Sequence, residues 1–108
     1  MVKYDTPGFL HMVFFWLHEP SQPADSLQLV EGCKQYLSAI PSVLRLEAGV
    51  PANTPRTEVD SSYGVGLLVE FADAAGHDLY QTHPDHIEFQ QKCGHLWSRV
   101  QVYDTILT

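Results

Sequence analysis

Basic residues are the scarcest feature of this chain. Six Lys plus Arg stand against thirteen Asp plus Glu, for a net charge of -7 at pH 7. Lys3, Lys34, Arg45, Arg56, Lys92 and Arg99 are scattered and form no cluster. Phosphate recognition needs a basic stripe, so the balance argues against nucleic acid and against an anionic membrane surface. Cysteine is nearly as scarce. Cys33 and Cys93 form no CxxC pair, which argues against a structural zinc site and a disulfide scaffold and leaves two buried thiols in a reducing compartment. The apolar run from Phe9 to Leu17 carries His11 and is too short to cross a bilayer. The opening residues lack the basic start and apolar stretch of a signal peptide. Together these absences predict a cytoplasmic protein. There is no Gly-rich phosphate loop, because Gly64-x-Gly66 lies inside a strand pattern, and no Ser in a G-x-S-x-G setting.

What is present is a globular composition: 44% apolar residues in 108 positions, enough for one domain spanning residues 1–108. Met1 to Gly8 is polar and ends in a Pro-Gly turn. Phe9 to Leu17 is β-prone and apolar on both faces, with His11, Val13 and Phe15 on one side and Leu10, Met12, Phe14 and Trp16 on the other. Leu27, Val30, Cys33, Leu37 and Ile40 recur at helical spacing and stop before Pro41. Val43 to Val50 reads as a second strand, Pro51 to Ser62 as a loop, and Tyr63 to Phe71 as a third strand. Its two glycines predict close approach of other atoms to the backbone. Asp73 is a good N-cap for a helix running to about His83. A second helical segment starts at Pro84, with His86, Phe89, Cys93, Trp97 and Val100 on one face if it is continuous. Arg99 to Leu107 reads as a last strand.

The order β-α-β-β-α-β predicts an α+β, ferredoxin-like domain, one antiparallel four-stranded sheet with helices on one face. The first strand is apolar on its other face as well, and no element remains to cover it. A second copy is the simplest cover, which predicts a homodimer through the sheet face.

The chemistry concentrates in Leu79-Tyr80-Gln81-Thr82-His83-Pro84-Asp85-His86, in a chain with six histidines. Pro84 suits the first position of a helix and forces the preceding residue out of the α region, so His83 shapes a corner. His86 falls in the first turn of the new helix, whose positive dipole end favours a neutral imidazole. Tyr80 and His86 can meet His11 only on the helix side of the sheet. The candidate acid–base set is therefore His86, Tyr80 and His11, walled by Phe15, Val30, Cys33, Leu67, Phe89 and Trp97. The plainer readings stand beside it: His11 as a satisfied core histidine, Tyr80 as a core aromatic, and Phe89 and Trp97 as ordinary core. His18, His77 and His95 read as surface residues, and Asp104 as a strand-end cap. No metal is expected at His83-x-x-His86 with His11, since no helix supplies an i, i+4 His pair and no carboxylate is seen to converge. No cofactor is expected.

The runs Val69-Glu70-Phe71-Ala72-Asp73, Tyr80-x-x-His83-Pro84-Asp85-His86 and Val102-Tyr103-Asp104 resemble the stress-responsive A/B barrel (Dabb) family of dimeric α/β barrel proteins. His11 to Phe15 and Ile40-Pro41-Ser42-Val43 are similar too, so the resemblance covers nearly the whole chain from His11. It implies the same fold and a homodimer. Most members of the family have no assigned activity. A plant branch closes polyketide rings by cofactor-free aldol chemistry, and its tyrosine and two histidines match Tyr80, His86 and His11. The chain departs from that branch at Val65, where another pocket histidine falls, and from a frequent family aspartate at Gly64. The resemblance thus implies a dimer binding a small aromatic or polyketide-like molecule. A cofactor-free cyclase or lyase ranks second, and a monooxygenase or haem-degrading relative a distant third.

Overall fold

The computed structural model describes residues 6–108, so the first five positions of the polar opening stretch lie outside the described residues. Strand β1 (Phe9–Leu17) alternates buried and half-buried positions along its whole length, as a strand covered well on one side only must. Helix α1 (Pro23–Leu37) begins a turn earlier than its apolar stripe, because Pro23 takes a first-turn position where its missing N–H costs nothing. It also ends earlier, at Leu37, where the Ser38 hydroxyl turns back to the Lys34 carbonyl. Strand β2 (Arg45–Gly49) and strand β3 (Val65–Phe71) are shorter than their sequence patterns. Pairing beyond them continues through single hydrogen bonds, from Leu44 N to Glu70 O and from Gly64 N to Phe15 O. The close approach expected at the glycines holds at Gly64, where a Cβ would lie 2.9 Å from Leu17 Cγ.

Helices α2 (Ala74–Thr82) and α3 (Pro84–Cys93) follow. Asp73 caps α2, its carboxylate accepting from Gly76 N at 2.9 Å. One residue, His83, separates the helices. Its extended backbone ends α2, and its Nδ1 accepts from Asp85 N at 3.0 Å to cap α3. The corner role expected of His83 is therefore a direct consequence of its position before Pro84. The helix is not continuous to Val100, and it gives way to the last strand as the sequence suggests. Helix α3 stops at Cys93, a 3-10 turn covers Gly94–Leu96, and strand β4 (Trp97–Ile106) begins immediately after it.

All pairings are antiparallel and the strand order is β2-β3-β1-β4, the ferredoxin-like arrangement. The main core lies between the sheet and the helices, where Phe71, Val65, Val69, Leu29, Leu37 and Tyr80 are almost completely buried. The opposite face presents Leu10, Met12, Phe14, Trp16 and Leu68, all only half-buried in the single chain. No helix among the described residues is long and apolar enough to cross a membrane.

Candidate functional site

A cavity of about 290 Å³ opens between the sheet and the α2–α3 corner. The backbone explains why its polar groups meet. Tyr80 sits in the last turn of α2 and His86 in the first turn of α3, so the corner turns both towards the sheet. Their ring centroids are 4.8 Å apart, edge to face. His11 enters from β1, with its ring centroid 5.6 Å from that of Tyr80. All three line the cavity, with Phe15, Leu67, Phe89 and Trp97 among its apolar walls. Two of the expected wall residues do not belong. Val30 and Cys33 are buried in the core and do not line the cavity. They lie on the buried stripe of α1, the helix that packs on α3 and the sheet. In their place the cavity takes Val13, Val100 and Val102 from the sheet, and Gln81 and Gln90 from the helices.

Trp97 reaches the wall by an unexpected route. Along β4, Val100, Val102 and Asp104 pair with Phe15, Val13 and His11 and share the helix side with them. Simple alternation would send Trp97 to the outer face. A register shift between Trp16 and Leu17 pairs Trp97 with Leu17 instead, and this β-bulge returns the indole to the helix side. Its ring centroid then lies 4.9 Å from that of Phe15 and 5.6 Å from that of Phe89.

Two polar residues read otherwise in the sequence belong to this site. Asp104 is no strand-end cap: it lies opposite His11 in the β1–β4 ladder, and its Oδ1 accepts a hydrogen bond from His11 Nδ1 at 2.6 Å. His77 is no surface residue. Its side chain is only 13% exposed. The ring stacks on Phe9 at 4.7 Å between centroids and lies equally close to His11. One ring nitrogen is 4.0 Å from Asp104 Oδ2. The shared parity of His11 and Asp104 could have been read from the alternation of β1 and β4. Nothing in the sequence marks His77. His18 and His95 are exposed, as expected.

Burial sets the protonation states. Desolvation holds His11 below the usual histidine range, although its bond to Asp104 acts in the opposite direction. Burial also lowers His86, helped by the nearby His11 and His77. The expected neutral imidazole is found, with desolvation as its main cause in place of the helix dipole. One of its ring nitrogens, Nδ1, is buried and has no hydrogen-bond partner among the described residues. Burial pushes the Tyr80 phenol well above its ordinary value, with Cys33 as a minor cause, so it is a proton donor near pH 7. Cys33 is pushed up to about 12 by burial and then by Cys93, and Cys93 is raised by burial. Both thiols stay protonated and are poor nucleophiles. The arrangement can therefore accept a proton at an imidazole and donate one from a phenol, inside an apolar wall.

Comparison with known proteins agrees with this architecture. No curated protein matches the chain. A Dabb family protein with a ferredoxin-like fold from Mesorhizobium loti is 27% identical, with 95% of this chain and 99% of that one aligned and a TM-score of 0.76. A dimeric ferredoxin-like protein of unknown function from Thermobifida fusca is 18% identical over 94% and 92% of the two chains, with a TM-score of 0.75. Hydroxynitrile lyase from Passiflora edulis is 15% identical over 95% and 96%, also with a TM-score of 0.75. The family model of the stress responsive A/B barrel domain matches residues 9–107. That span runs from the first residue of β1 to just past the end of β4, so it takes in the sheet, the corner and every residue of the cavity, and the chain belongs to the stress responsive A/B barrel domain family.

Proposed function

We propose that this chain forms a homodimer through the outer face of its sheet and that its cavity binds a small aromatic or polyketide-like molecule. The observation that carries the ligand reading is the convergence of His11, Tyr80 and His86 on one cavity walled by Phe15, Phe89 and Trp97. An apolar cleft with a few convergent polar groups suits a ligand with a flat ring and one or two oxygens. The dimer reading is supported by the half-buried row Leu10, Met12, Phe14 and Trp16, and by the dimeric state of the Thermobifida protein and of a Bacteroides fragilis protein of the same fold.

A second reading, a cofactor-free cyclase or lyase, is favoured by the opposite protonation preferences of two touching rings. His86 is a neutral base and Tyr80 a neutral acid, 4.8 Å apart between centroids. His86 would take a proton from the ligand while Tyr80 hydrogen-bonds the oxygen that gathers negative charge. A lyase of the same fold, the Passiflora enzyme, lends this reading a precedent only at the level of fold.

The test uses 2,4-dihydroxyacetophenone as a probe. Titration should shift the Trp97 indole N–H resonance of the wild type and leave it unmoved in Leu67→Trp, where the cavity is filled. An unmoved Trp97 in the wild type would reject the ligand reading. Cleavage of mandelonitrile that is lost in His86→Ala and reduced in Tyr80→Phe would support the second reading. Cleavage that survives both substitutions would reject it.

A further inference from the structure

We propose that His11, His77 and Asp104 bind one first-row divalent cation of the zinc class beside the cavity. The three come from β1, α2 and β4, and one ligand atom of each lies within 4.8 Å of the others. Donors sharing an ion at bond lengths of about 2.0–2.2 Å stand roughly 3–4 Å apart. His11 Nδ1 and Asp104 Oδ1 are 2.6 Å apart, and His77 Nε2 and Asp104 Oδ2 are 4.0 Å apart. Small side-chain rotations that open the first contact and close the second would bring all three within range.

The hydrogen bond from Gln81 places the lone pair of His77 on the nitrogen nearer Asp104, and an ion would take that lone pair by displacing the exposed Gln81 amide. Gln81 Nε2 lies 3.2 Å from His77 Nε2. An amide NH2 can only donate, so His77 Nε2 holds the lone pair and the ring proton resides on Nδ1. That proton faces Asp78, whose carboxylate is 3.9 Å from Nδ1. That separation is beyond hydrogen-bond reach, and the ring is held in place by its packing on Phe9 and His11. His11 Nδ1 donates to Asp104 Oδ1 at 2.6 Å, so the nitrogen that would ligate already faces the carboxylate. His11 exchanges its Nδ1 proton for the ion, and the proton leaves to solvent past Asp104, which is 39% exposed. That exposure also gives the ion a route in and leaves a coordination position for water. Two imidazoles and one carboxylate suit zinc and its first-row neighbours, not magnesium or calcium, which take oxygen donors. With its Nδ1 on the ion, His11 keeps Nε2 as its one ring nitrogen free for the cavity. The site does not depend on what the cavity binds.

The experiment is calorimetric titration of zinc into full-length protein stripped by a chelator, with cobalt(II) absorption as a second readout. The expected result is one zinc per chain and visible cobalt bands that report imidazole ligands. His77→Gln, which conserves a polar side chain at the same place, and Asp104→Asn should each weaken zinc at least tenfold. His18→Ala and His95→Ala, both at exposed positions, should leave affinity unchanged. Chemical unfolding in chelator checks that each variant is folded. A folded wild type that takes up no stoichiometric zinc overturns the proposal. So does zinc binding that persists in folded His77→Gln and Asp104→Asn, or that is lost equally in the exposed-histidine variants.

Discussion

Asp104 and His11 are neighbours across the β1–β4 ladder, and the 2.6 Å bond between them joins two residues 93 positions apart in sequence. His11 is only 4% exposed, so its Nδ1 proton depends on Asp104 for its acceptor. Asp104→Ala should cost about 1–3 kcal/mol, the penalty for an orphaned buried donor. The value should fall towards the low end because Asp104 itself is part-exposed. Asp104→Asn keeps an acceptor oxygen and should cost less. Urea unfolding monitored by tryptophan fluorescence would measure both.

Acid should destabilise the fold through His11 and His86. Both are held below the ordinary value of about 6.5 in the native state. Between the native and unfolded values, the unfolded chain binds more protons than the native one. Stability therefore rises with pH across that window. It is fully present above about 6.5 and is lost as pH falls through the lowered native values. Unfolding free energies at pH 7.5 and pH 5.5 should show the drop, and His86→Gln should shrink it.

Gly32 marks where α1 and α3 come closest. A Cβ at that position would fall well inside contact distance of Cys93 Sγ, and both residues are buried. Gly32→Ala should destabilise by about 1–3 kcal/mol from overpacking, against a gain of up to roughly 1 kcal/mol in helix propensity. Adding Cys93→Ala removes the obstructing sulfur. The double variant should be more stable than the sum of the two single changes predicts.

The outer sheet face can be tested by charge. Phe14 lies at its centre, with Tyr63 and Tyr103 against it at 4.9 and 6.2 Å between centroids. Phe14→Asp would bury an unpaired carboxylate in the proposed homodimer interface. It should weaken self-association more than tenfold in sedimentation velocity. Leu79→Asp, on a helix surface that is already exposed, should leave association unchanged.

The sheet and its two faces were legible because β1 alternates without a break, and the corner was legible because Pro84 admits few alternatives. The convergence of Tyr80 and His86 followed from that corner. The wall residues of α1 were misread for a definite reason. Helical spacing tells which face Val30 and Cys33 occupy, and says nothing about how far along the helix the cavity extends. Helical spacing puts Trp97 in one stripe with His86 and Phe89 only if the helix is continuous, and a strand delivers it to the wall instead. His77 was missed because its burial depends on Phe9 and His11, both far from it in sequence. Asp104 was missed because a pairing register, unlike a periodicity, is not written in either strand alone.

The bulge between β1 and β4 gives the cavity an unusual dependence on pairing register. Trp97 serves the helix side only because one extra residue, in the Trp97–Arg99 stretch, is accommodated opposite Trp16 and Leu17. Deleting Ser98 would leave Trp97 opposite Leu17 on the helix side. Were the bulge instead to close with Ser98 paired to Leu17, every cavity side chain would remain in the sequence and the indole would still turn outward, beside Trp16 and Arg99. A cleft wall would become part of the opposite surface. Pairing register at this point, more than residue type, decides which side of the sheet the indole serves and so whether the two sides are separate compartments.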